Sequence, residues 1–211
     1  MPTGIQAPPA SFSQAPKWEE RECRSPLPAW ELILYYRTLK YTRFYPFTLI
    51  STAMDLLTAV QNGDMTTIDR LCGEGSALDI VNEEGMTPLM IAAEAGQLQT
   101  VQWLLEHGVP VDQTDSEGWT ALMSACAAEQ VEIATLLLDH GAQVNAQTTF
   151  GMSALMTAAA KGQITIVQLL LDRGADLNQK DQNSWTALIW AASEEQTPIV
   201  DLIKKTRQAF P

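Results

Sequence analysis

Apolar residues in the C-terminal three quarters of the chain fall in short blocks separated by polar, glycine-bearing joints. In LQTVQWLLEHG, starting at Leu98, Val101, Leu104 and Leu105 share one face of a 3.6-residue period. That spacing predicts an amphipathic helix ending at Gly108, with Trp103 beside Leu104 in the core. The preceding block, EGMTPLMIAAEAG from Glu84, opens on a turn glycine, then Thr87 as a helix cap and Pro88 at the first helical position. Ala92 and Ala93 keep that helix thin enough for a close neighbour, and Gly96 permits a left-handed turn between the two helices. The next stretch, VPVDQTDSEG, is polar and suits a hairpin-like excursion. The predicted unit is helix, turn, helix, extended loop.

This unit recurs every 33 residues. Leucine returns at Leu56, Leu89, Leu122, Leu155 and Leu188, and alanine at Ala59, Ala92, Ala125, Ala158 and Ala191. A second ladder runs Leu71, Leu104, Leu137, Leu170 and Ile203. Gly75, Gly108, Gly141 and Gly174 close units, while Gly85, Gly118 and Gly151 open them. One such unit cannot bury its own apolar face, so the units must stack into a solenoid.

The segments TPLMIAA (87–93), TALMSAC (120–126), SALMTAA (153–159) and TALIWAA (186–192) resemble the TPLHxAA signature of the ankyrin repeat family. Met90, Met123, Met156 and Ile189 replace the family's usual histidine, a variant that resembles bacterial members. The resemblance covers residues 54–208 and implies an all-α repeat solenoid of five units, 54–81, 82–114, 115–147, 148–180 and 181–208. The first unit, MDLLTAVQNGDMTTIDRLCGEG, is similar to an N-terminal cap of this family. Glu129 and Glu195 stand where the family places glycine, at a cost of about 1 kcal/mol each if the backbone there is left-handed. Ser184 replaces the hairpin glycine of the last unit, and Pro198 after Thr197 suits a helix start. Lys204 occupies the position of Leu105, Leu138 and Leu171, which makes the fifth unit a C-terminal cap with no sixth repeat over it. Lys204, Lys205 and Arg207 also complement the helix dipole.

Composition divides the chain near residue 53. Residues 1–53 hold seven of the 11 prolines and nine of the 15 aromatics, with a charge of six basic minus four acidic, or +2. Residues 54–211 carry seven basic and 21 acidic side chains, or −14. Residues 1–28 lack an apolar period and are expected to be disordered. In residues 29–53, aromatics interleave with Arg37, Lys40 and Arg43. Three readings stand open there: a membrane-surface or partner-binding segment, an arm packed on the repeats, or an upstream extension of a protein that naturally begins at Met54.

The overall charge of −12 argues against nucleic acid and for a basic or neutral protein partner. Cys23, Cys72 and Cys126 are too few and too scattered for disulfides or zinc, and fit a reducing, cytoplasmic setting. No signal-peptide pattern or membrane-length apolar run is present. His107 and His140 lie 33 residues apart ahead of closing glycines, a structural placement rather than a metal or catalytic one. Glu83 with Glu84, and Glu194 with Glu195, read as solvated faces. No phosphate loop, dinucleotide fingerprint, HExxH or GxSxG occurs. The expectation is a non-catalytic, monomeric protein-binding module without cofactor or metal.

The resemblance implies where a partner binds: hairpin tips and the exposed faces of the first helices, forming a concave surface. Those positions are Glu83, Glu84, Met86 and Glu94 in the second unit, and Ser116, Glu117 and Trp119 in the third. Thr149, Phe150, Met152 and Lys161 follow in the fourth, then Gln182, Asn183, Trp185 and Glu194 in the fifth. Trp119, Phe150 and Trp185, one unit apart, are expected to form a row of anchors in an acidic frame, the alternative being that each Trp lies against its neighbouring hairpin as local packing. Two alternatives are a peripheral membrane adaptor using residues 29–53 on lipid, and a regulatory subunit of an enzyme.

Overall fold

The computed structural model describes residues 47–73 and 78–209. The segment 1–28, most of the aromatic and basic stretch 29–53, and Cys23 and Gly75 lie outside those residues. Ten helices, among the described residues, form five successive pairs. They are α1 (Phe47–Asn62) with α2 (Met65–Gly73), α3 (Pro88–Glu94) with α4 (Leu98–Glu106), and α5 (Ala121–Ala127) with α6 (Val131–Asp139). Then come α7 (Ala154–Ala160) with α8 (Ile164–Asp172), and α9 (Ala187–Ser193) with α10 (Thr197–Ala209). Helix α1 starts ahead of Met54, so the change in composition near residue 53 falls inside one continuous helix.

First helices pack on first helices and second helices on second helices, which makes two layers. The leucine and alanine ladders supply the continuous core between them. Leu56, Leu89, Leu122 and Leu155 are buried, as are Leu71, Leu104, Leu137, Leu170 and Ile203. Trp103 is half-buried against this core and stacks on His107 at 3.7 Å between ring centroids.

Caps follow the sequence pattern. The hydroxyls of Thr87, Thr120 and Ser153 accept the backbone N–H groups of Met90, Met123 and Met156 at 3.3–3.4 Å, closing the starts of α3, α5 and α7. At the start of α2, Asp64 accepts from the hydroxyls of Thr67 (2.6 Å) and Thr66 (2.7 Å) and from the Thr67 backbone. These bonds hold its carboxyl down at about 2.

The turn between helices is left-handed in every unit: φ is +68° at Gly63, +75° at Gly96, +61° at Glu129, +78° at Gly162 and +57° at Glu195. Glu129 and Glu195 therefore adopt the backbone anticipated from their register. At Gly96 a β-carbon would come within 2.9 Å of the Gln130 amide of the next unit. Glu129 has such a β-carbon, and Gln163, its matching neighbour, is buried with neither amide atom partnered among the described residues.

Candidate functional site

Each hairpin tip is built around one polar residue recurring at 33. The Asn82 side-chain oxygen accepts the N–H groups of Glu84 (3.0 Å) and Met86 (2.9 Å). Asp115 does the same for Glu117 (2.9 Å) and Trp119 (2.8 Å), and Asp181 for Asn183 and Trp185, both at 2.8 Å. Thr148 keeps one such bond, to Met152 at 3.1 Å. Successive tips are then tied together. Ser116 Oγ donates to the Glu84 carbonyl at 2.8 Å, Thr149 Oγ1 to the Glu117 carbonyl at 2.9 Å, and Gln182 Nε2 to the Thr149 carbonyl at 2.8 Å. Ser116, Thr149 and Gln182, selected from sequence as contact residues, thus act as struts between tips.

The tips carry Glu83, Glu84, Glu117, Phe150 and Asn183 exposed, while Met86, Trp119 and Met152 are half-buried against the core. Trp119 is therefore partly packed against the core rather than free on its tip. Trp185 is 37% exposed and meets Trp190 edge-on at 5.1 Å, and Phe150 is 55% exposed. The three aromatics do not share one register: Phe150 corresponds to Glu117 and Asn183, and Met152 is the fourth unit's counterpart of Trp119 and Trp185. Trp190, which sequence reasoning passed over, donates its indole N–H to Asp181 Oδ2 at 3.1 Å.

One groove, of about 700 Å³, draws part of the set together. Its walls include Glu84, Met86 and Glu94 from the second unit, and Asp115, Ser116, Glu117 and Trp119 from the third. Ser124, Ala127 and Ala128 form its floor, and Lys161 of the fourth unit closes it. The three floor side chains are small. The third unit places Ser124, Ala127 and Ala128 where the second has Ile91, Glu94 and Ala95, and the fourth Thr157, Ala160 and Lys161. Seven residues chosen from sequence line this groove: Glu84, Met86, Glu94, Ser116, Glu117, Trp119 and Lys161. Glu83, Thr149, Phe150, Met152, Gln182, Asn183, Trp185 and Glu194 are outside its lining.

A smaller pocket of about 230 Å³ lies between Leu78, Asp79 and the loop from His107 to Pro110. His107 Nδ1 is 2.8 Å from the Trp103 carbonyl and His140 Nδ1 is 2.9 Å from that of Leu136, so each ring closes a helix end. Cys126 is buried, which pushes its thiol up to about 12. Burial and the nearby Asp69 also raise the thiol of Cys72. Neither thiol is bonded to another. Among the described residues no three His, Cys, Asp or Glu side chains are grouped to hold a metal ion. No helix among them is long and apolar enough to cross a membrane.

No curated protein matches the chain. A family model described as ankyrin repeats (3 copies) matches residues 56–148 and 144–209.

Proposed function

The chain belongs to the ankyrin repeat family, and from that premise we propose that it is a non-catalytic module whose concave face holds a protein partner in the cytoplasm. Ankyrin repeats generally mediate protein–protein interactions, and the family is generally non-catalytic. The observation that carries the reading is the groove, lined by the hairpin tips of the second and third units, their first helices and Lys161 of the fourth, with Trp119 among its walls. A partly buried aromatic ringed by polar side chains is the usual make-up of an interface hot spot. The groove's polar side chains are carboxylates, one ammonium and two serine hydroxyls, with no imidazole or thiol beside them to activate a nucleophile. Rigid stacking keeps these groups in place before the partner arrives, which lowers the ordering cost of binding.

The test is affinity capture from source-cell lysate on the immobilised full chain, beside a Trp119→Ala/Phe150→Ala/Trp185→Ala variant of unchanged helical signal. Proteins captured by the first and lost from the second support the reading. Capture that is identical on both moves the binding surface to the outer helices.

A further inference from the structure

Beyond the general reading just given, on which it rests, the groove selects the chemistry of its occupant. Glu84 and Glu117 on the tips and Glu94 on the helix bring three carboxylates to the same cleft as Trp119. Among the described residues none of these three carboxylates holds an ion pair or accepts a hydrogen bond; the fourth, Asp115, is consumed in its turn. An apolar helix seated here would leave unpaired charge under it, which is costly. A nucleic acid would be repelled. A neutral strand would leave the three acids unanswered.

We propose that the occupant is an extended peptide segment carrying an arginine, whose guanidinium lies on the Trp119 indole and forks to the Glu84, Glu94 and Glu117 carboxylates. A guanidinium is planar, weakly hydrated and able to stack on an indole while donating in its plane to carboxylates. The ammonium of lysine is a strongly hydrated point charge and gains less in such a place. The floor of Ser124, Ala127 and Ala128 leaves depth for the arginine stem and its flanking backbone. Lys161, exposed and unpaired among the described residues, sits at the far side of the same groove. It gives the segment a direction: cation towards the second unit, acidic side chain towards the fourth.

The experiment uses the full chain and fluorescein-labelled decapeptides of Gly, Ser and Leu with one central arginine, and matched lysine and citrulline versions. An aspartate is scanned through the flanking positions. Anisotropy titrations should show the arginine peptides bound best, and citrulline at least about tenfold weaker. Aspartate on one side should strengthen binding in the wild type and not in Lys161→Ala. Glu84→Gln/Glu117→Gln changes only exposed side chains, so it should keep the thermal midpoint and lose the preference for arginine over citrulline. Equal binding of arginine, lysine and citrulline peptides overturns the proposal. So does an absence of binding by all of them, or a preference that survives the double Gln variant. Trp119-dependent capture of a protein that the arginine peptides fail to displace removes the arginine assignment and leaves the concave-face reading standing.

Discussion

The third and fifth units are written in the same register, yet the same position meets different surroundings. Met123 is 1% exposed between its neighbours, whereas Ile189, its counterpart 66 residues on, is 41% exposed. Cys126 is buried where Ala192 is exposed, and Leu138 is half-buried where Lys204 is exposed. The hairpin glycines tell the same story. A β-carbon on Gly118 would come within 3.0 Å of the Thr149 backbone nitrogen, and one on Gly151 within 2.8 Å of Asp181 Cα. The fifth unit carries Ser184 there, at φ +64°, and its side chain is exposed. Burial in a stack is conferred by the neighbouring unit, so matched positions differ in exposure according to what packs on them.

Truncating matched positions should give the largest contrast. Met123→Ala should cost about 2–5 kcal/mol, because a filled interior site becomes a cavity. Ile189→Ala should cost about 1 kcal/mol or less, since much of that side chain is already in water. Urea unfolding of both variants measures this, and equal losses would break the comparison. The next effect concerns backbone. Gly151→Ala should lose about 1–3 kcal/mol from left-handed strain and the approach of Asp181. Ser184→Gly should hold or gain stability in the same assay.

A smaller gain is expected at a joint that strains inside the stack. Glu129→Gly should relieve the left-handed backbone and reopen the seat of the Gln163 amide. About 1 kcal/mol of stabilisation corresponds to a midpoint rise of about 2–4 °C for a chain of this size. A fall in midpoint would show that Glu129 makes a contribution outweighing the strain. The smallest effect lies at the other end of the stack. Asp64 has a folded pKa of about 2, below its unfolded value of about 4. Its contribution is therefore present above pH 4 and lost as pH falls through 2. The stability difference between wild type and Asp64→Ala should be flat above pH 4 and shrink towards pH 2. A difference that grows with acid would contradict the assignment.

The 33-residue ladders made the solenoid legible because a buried position must repeat an apolar residue in each unit. The left-handed backbone at Glu129 and Glu195 was legible for the same reason, as a break in a glycine ladder. Asn82, Asp115, Thr148 and Asp181 were missed, although they also recur at 33, because four polar residues of three kinds form no visible ladder. Their shared property is an oxygen positioned to accept from the following turn. Trp190 was missed because its register holds Ile91, Ser124 and Thr157 in other units, a sequence with no common chemistry. The groove was hidden more deeply. It is lined by the small side chains of Ser124, Ala127 and Ala128, and a pattern of retained residues does not reveal open volume. The half-burial of Trp119 was one of two readings the sequence left open, because an aromatic on a hairpin tip can either await a partner or pack locally.

The central claim is that Trp119 and the groove around it hold the partner. Titration calorimetry of a captured partner against wild type and Trp119→Ala, with thermal midpoints recorded for both proteins, tests it most directly. Because Trp119 packs on the core, the variant should melt somewhat lower yet remain folded at the titration temperature. The account predicts a binding loss of about 2 kcal/mol or more, close to thirtyfold in Kd. An unchanged Kd in a folded Trp119→Ala protein would contradict it.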